Sequence, residues 1–154
     1  MNRREIDFDN ALGAILRLCM QSGLHRHWSV VDIERNFFPP VWHRFCKIWY
    51  DDSNTPCACA TWAEVAIEVE NEFFRRSKTP PLDQWNSGNR LWFVDFIAPN
   101  VSGFNLVRDL HRNHFRNRTG YAIRRNLDGS IRKWCKFRGL AHGAKNAGNV
   151  ERRA

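Results

Sequence analysis

Residues 90–98 read Arg-Leu-Trp-Phe-Val-Asp-Phe-Ile-Ala. After Arg90 the stretch is apolar and rich in aromatic and branched side chains, interrupted by one charge, Asp95. Such a run predicts a strand buried on both faces, at the centre of a sheet. A carboxylate at that position is costly unless it is paired or hydrogen-bonded. Asp95 therefore marks a site, pairs with a structural arginine, or turns outward.

The rest of the chain supplies partners for such a strand. Leu12, Ile15, Leu16 and Cys19 recur at helical spacing and predict a helix over 10–21, capped by Asp9 or Asn10 and stopped at Gly23. Ser29 with Asp32 three residues on starts a second, short helix, which Pro39 and Pro40 should end. Residues 41–50 and 57–67 read as a hairpin around the turn 51–56. A helix is expected over 68–76, a proline-containing loop over 78–82, and a helix over 102–116 with Val107, Leu110 and His114 toward the core. Residues 121–126 and 131–137 flank Leu127-Asp128-Gly129-Ser130, a second hairpin. This order predicts an α+β domain with a mostly antiparallel sheet. At 154 residues one domain is expected, over 1–138, with 139–154 as a flexible C-terminal tail.

Charge is unevenly spread. Residues 1–106 hold 11 basic and 13 acidic side chains, whereas 107–154 hold 13 basic and 3 acidic, a net of +10. An acidic partner is implied: nucleic acid, an anionic membrane or an acidic protein. No apolar run reaches the roughly 20 residues of a membrane span, and the charged start of the chain has no apolar stretch behind it. The expectation is a cytoplasmic protein with no stable membrane insertion. The five cysteines, Cys19, Cys46, Cys57, Cys59 and Cys135, are scattered and odd in number, so reduced thiols are expected. Cys57-x-Cys59 with His111 and His114 matches no standard zinc spacing, and no metal site is expected.

Two residue groups carry chemistry. His25 lies just past a helix end, beside Ser22, His27 and Trp28, and an imidazole is the natural general base near neutral pH. Asp95 would orient such a ring and favour its protonated form. Trp28 and Trp92 flank the two candidates in sequence, and Trp92 is a candidate supporting residue.

Leu24-His25-Arg26-His27-Trp28, Trp62-Ala63, and Trp85-Asn86-Ser87-Gly88-Asn89-Arg90 running on through Leu91-Trp92-Phe93-Val94-Asp95-Phe96-Ile97-Ala98-Pro99 resemble the RTX toxin-activating lysine acyltransferases, the hemolysin-activating family. The likeness covers roughly residues 10–138. Ser29 stands where that family usually has proline after the tryptophan. Ala98-Pro99-Asn100-Val101-Ser102-Gly103 replaces its Ala-Pro-Phe-Gly.

The resemblance implies a fold like that of GCN5-type N-acetyltransferases, a mixed and mostly antiparallel sheet flanked by helices, without their glycine-rich CoA loop. It implies transfer of a fatty acyl group from acyl-acyl carrier protein to internal lysine ε-amino groups of an RTX protoxin, activating it for hemolysis. The family's essential histidine falls on His25, its aspartate on Asp95 and its nearby serine on Ser22. No cofactor is bound; acyl-acyl carrier protein is a co-substrate. His25 either deprotonates the lysine or is itself acylated first.

The carrier protein is acidic, and Arg108, Arg112 and Arg116, four apart on the expected helix, would form its docking stripe. Arg124 and Arg125, with Arg132 and Lys133 of the final hairpin, are the alternative. Two other readings stand beside this one. An acyl-CoA-dependent N-acyltransferase on another amine lacks the expected pyrophosphate loop. A basic nucleic-acid-binding module leaves His25 and Asp95 without a role, and nucleic acid is not an expected partner. A homodimer is compatible with the resemblance.

Overall fold

The computed structural model describes residues 7–76 and 79–141. Its centre is a five-stranded sheet in chain order: β1 (Cys46–Tyr50), β2 (Pro56–Val65), β3 (Arg90–Ile97), β4 (Thr119–Arg125) and β5 (Ile131–Arg138). All neighbours are antiparallel except β3 and β4, which run parallel. The domain is α+β, and the apolar run is its middle strand.

Three helices cover one face. α1 (Phe8–Gln21) starts two residues earlier than its periodicity suggests, because Asp7 rather than Asp9 or Asn10 accepts the first free N–H. It ends at Ser22 in extended conformation, so Gly23 supplies no left-handed cap. α2 (Val30–Trp42) begins with the reciprocal Ser29–Asp32 capping box. Pro39 and Pro40 do not end it. They sit in its last turn, both buried, and His43 and Phe45 N–H groups close that turn on their carbonyls. Burial of the two rings beside Val41 and Phe37 offsets the lost backbone donors, and strand β1 therefore starts at Cys46 rather than 41. α3 (Ile67–Arg76) completes this layer.

Alternation along β2 separates the two faces. Cys59 packs with α1 and α2, and Ala63 and Val65 pack with Phe73 of α3 and Trp85. Ala60 and Trp62 face the other way, onto Leu110, Phe115 and Phe137. Each fully buried large apolar side chain contributes about 1.5–3 kcal/mol.

That opposite layer holds α4 (Gly103–Asp109), which widens into a π-turn over Leu110–His114. Asp109, the residue before the wider turn, anchors it to β1. Its carboxylate accepts from Lys47 Nζ at 2.7 Å, Trp49 Nε1 at 2.9 Å and Asn113 Nδ2, while Phe115 N–H reaches back five residues to Leu110. The wider turn drops Phe115 between Trp62 and Phe93, at ring distances of 5.0 and 5.1 Å. The expected regular helix over 102–116 is thus shorter and ends differently. Of Val107, Leu110 and His114, expected in the core, Leu110 alone is buried; His114 is exposed and bonded to Lys47.

Gly139 and Ala141 donate to the carbonyls of Arg118 and Arg116, so the start of the expected tail is tied to the domain. The remainder of that tail, residues 142–154, lies outside the described residues, as do residues 1–6 and 77–78. No helix among the described residues is long and apolar enough to cross a membrane.

Candidate active site

Two irregularities of β3 create the site. The first is a bulge. Thr61 pairs with Asp95, but Trp62 pairs with Phe93, so Val94 is an extra residue. Leu91 and Phe93 point to the α4 face; strict alternation would send Asp95 there too. The extra residue re-aims Asp95 to the α1–α2 face, where Ile97 also packs. The second is a splay. β3 and β4 pair only from Leu91–Gly120 to Phe93–Ala122, then part. Gly120 permits the close paired end: a Cβ there would lie 2.3 Å from the Leu91 carbonyl oxygen.

His25 reaches Asp95 from a single 3₁₀ turn, His25–His27, directly after α1. The turn is held by Arg26 N–H to Ser22 O and Trp28 N–H to His25 O. Trp28 packs on the imidazole at 4.5 Å between centroids, and Phe37 of α2 at 6.0 Å. His25 Nε2 lies 3.0 Å from Asp95 Oδ1, and both residues are buried. Asp95 N–H donates to Thr61 Oγ1.

The hydrogen bonds assign the tautomer. A carboxylate accepts, so Nε2–H donates to Asp95, which leaves the lone pair on Nδ1. Ser22 Oγ is 2.7 Å from Nδ1 and donates its hydroxyl proton there, while accepting His25 N–H at 3.3 Å. The basic nitrogen of the ring is therefore Nδ1, with a serine hydroxyl on it. The arrangement can take a proton from an incoming amine at Nδ1, directly or through Ser22, and Asp95 can then stabilise the imidazolium.

The pair opens into a cleft of about 680 Å³ walled by Ser22, Gly23, Val94, Asp95, Phe96 and Phe104, together with Arg124, Arg125 and Arg132. Arg125, expected among the docking arginines, lines this cleft and also faces Asp95: its side chain is 13% exposed and its Nε lies 3.9 Å from Asp95 Oδ1. Asp95 Oδ2 and Arg125 Nε are buried without hydrogen-bond partners. The signal was available: Tyr121, Ile123 and Arg125 alternate onto one face of β4.

The other expected site residues are divided between this cleft and more distant positions. Trp92 is not brought to the pair; it is buried against Phe73 at 4.6 Å and donates to Glu70 Oε1. Arg108, Arg112 and Arg116 are exposed, but the π-turn breaks their four-residue repeat and Arg116 falls beyond the helical turns. Arg124 and Arg132 stand in the cleft wall. The five cysteines are free thiols, and burial pushes Cys19 up to about 12 and Cys46 to about 11. Among the described residues no three His, Cys, Asp or Glu side chains gather as a metal site. Cys59 lies in the α1–α2 core, whereas His111 stacks on Phe137.

Comparison with known proteins places this geometry in a lineage. The chain is 33% identical over 118 residues to the RTX-II toxin-activating lysine-acyltransferase ApxIIC of Actinobacillus pleuropneumoniae, covering 77% of this chain and 70% of that protein. It is 33% identical over 90 residues to the leukotoxin-activating lysine-acyltransferase LktC of a Pasteurella haemolytica-like strain, 58% of this chain and about half of that protein (54%). The RTX-I toxin-activating lysine-acyltransferase ApxIC of A. pleuropneumoniae is 29% identical over 88% of this chain and 78% of its own length. The family model for RTX toxin acyltransferases matches residues 4–138, from before α1 to the last residue of β5. Both halves of the His25–Asp95 pair fall within that match, and the chain belongs to the RTX toxin acyltransferase family.

Proposed function

We propose that this protein transfers a fatty acyl group from the thioester of acyl-acyl carrier protein to lysine ε-amino groups of an RTX protoxin. The observation that carries the reading is the Ser22–His25–Asp95 chain, its histidine and aspartate buried, at the open end of the β3–β4 splay. A lysine amine is protonated at neutral pH, with a reference pKa of about 10.4. Loss of its proton to Nδ1 of His25 frees the lone pair to attack the thioester carbonyl. The C–N bond forms, the C–S bond breaks, and the carrier-protein thiolate takes a proton as it leaves. Direct attack accounts for the serine on Nδ1: its hydroxyl is placed to pass the proton on.

The parallel pair that opens after three residues also supports a GCN5-type N-acetyltransferase reading of the fold. Such an opening gives the extended thioester donor a way into the cleft. Arg124 and Arg132 at the cleft wall suit its phosphate and the acidic surface of a carrier protein. Arg108 and Arg112, exposed on the adjacent helical turns, extend that basic surface, whereas Arg125 serves Asp95 instead. Charge reversal tests this docking: Arg132→Glu should raise KM for acyl-acyl carrier protein more than it lowers kcat, and Arg116→Glu should do less. Equal KM values for wild type and Arg132→Glu would move the docking surface away from the cleft.

A further inference from the structure

On the α4 side of the sheet lies a second cavity, of about 190 Å³, that proton transfer at His25 does not use. Phe93, Leu110, Ala122, Cys135 and Phe137 supply its apolar wall, and His111, Arg124 and Lys136 add polar atoms. It meets the reaction cleft at the gap between the splayed strands: Asp95, Phe96, Val107, Ile123 and Arg124 line both. The splay thus joins the reaction cleft, whose wall mixes arginines with apolar side chains, to a mostly apolar slot on the other side.

We infer that this slot holds the distal end of the donor's acyl chain and that its volume sets which chain lengths are transferred. The inference rests on the acyltransferase reading and commits to an unbranched aliphatic chain as occupant. Continuity with the cleft is the first reason: Asp95, which holds His25, also lines the slot, so a thioester carbonyl at His25 lies beside its opening. Volume is the second. An apolar cavity of about 150 Å³ stays dry and takes a benzene ring, so this one suits about six to eight terminal carbons. Chemistry is the third, because each methylene buried there tightens binding roughly fourfold. A butanoyl chain has only three carbons beyond its carbonyl and would fill at most about half of a slot of this size.

Cys135 reports occupancy. It is half-buried in the slot wall, and Cys57, half-buried on β2, is an internal control outside it. The native protein is treated with N-ethylmaleimide in the presence of tetradecanoyl-pantetheine or butanoyl-pantetheine, and labelling is read by peptide mass spectrometry. The tetradecanoyl thioester should slow Cys135 labelling at least tenfold and leave Cys57 unchanged; the butanoyl thioester should protect neither. Unprotected Cys135, or equal protection of both cysteines, overturns the inference. This readout needs no turnover, so a protein that transfers nothing yet protects Cys135 would refute the acyltransferase reading while keeping the slot. As a second measurement, Cys135→Phe fills the slot and should lower the ratio of tetradecanoyl to butanoyl kcat/KM at least tenfold. An unchanged ratio overturns the inference even if the variant is less stable.

Discussion

Asp95 meets His25 across 70 positions of chain because Val94 is bulged out of the β2–β3 ladder. One unpaired residue turns the carboxylate from the α4 face to the α1 face. There it meets the ring that a single 3₁₀ turn presents. The contact is a 3.0 Å hydrogen bond between two buried groups, in a low-dielectric setting that strengthens it.

Asp95→Asn should leave the fold intact and remove activity. The amide is nearly isosteric, but its NH₂ donates to Nε2 and drives the ring proton to Nδ1, the nitrogen that must act as base. The expected loss in kcat is about 10³–10⁴-fold, against a stability change of about 1–2 kcal/mol. Urea unfolding and single-turnover transfer measured on one preparation separate the two. A variant that is fully active but several kcal/mol less stable would make Asp95 a structural residue.

Ser22→Ala should be milder. It removes the hydroxyl on Nδ1 and the acceptor for His25 N–H but leaves the base itself. A fall of about ten- to a hundredfold in kcat is expected, with KM for the donor little changed. Loss as complete as that of a histidine variant would assign the serine a covalent role.

Asp109 ties the π-turn to β1. Burial works to raise its pKa, but hydrogen bonds from Lys47, Asn113 and Trp49 hold it down to about 2. A carboxyl depressed below its unfolded value stabilises the fold above that value and loses the contribution as pH falls toward the folded pKa. Asp109→Asn should therefore lower the unfolding midpoint at pH 7, and about half of the gap to wild type should be gone at pH 3. A gap independent of pH between 7 and 3 would show that the Lys47–Asp109 pair contributes nothing through its charge.

How far the sequence discloses this architecture depends on how local each determinant is. The middle strand, its carboxylate and the Ser29–Asp32 cap are set by neighbouring residues and were readable as such. The prolines misled because their donor-free nitrogens usually end helices, and only tertiary burial of both rings keeps α2 going to Trp42. The π-turn is anchored through Asp109 to Lys47 and Trp49, some 60 positions away, contacts that no helical period reveals. The inward turn of Arg125 is legible in the alternation of β4, where it shares a face with Tyr121 and Ile123. The bulge at Val94 has no local signature; it is visible only against the register of β2.

Burial also predicts thiol reactivity. Cys19, Cys46 and Cys59 are buried, and desolvation raises all three thiols, Cys59 with further help from nearby Cys19 and Asp95. Native protein should react with maleimide at Cys57 and Cys135 and resist at the other three until urea unfolds it. Fast native labelling of Cys19, beside α1's end, would mean that the α1–α2 layer opens readily.

The most direct test of the account combines acyl-acyl carrier protein, an RTX protoxin and this protein, wild type or His25→Ala, and reads lysine acylation by peptide mass spectrometry. Wild type should add a fatty acyl group to internal lysines of the protoxin. His25→Ala, folded by circular dichroism, should add none above the rate without enzyme. Turnover by His25→Ala equal to that of wild type would contradict the account.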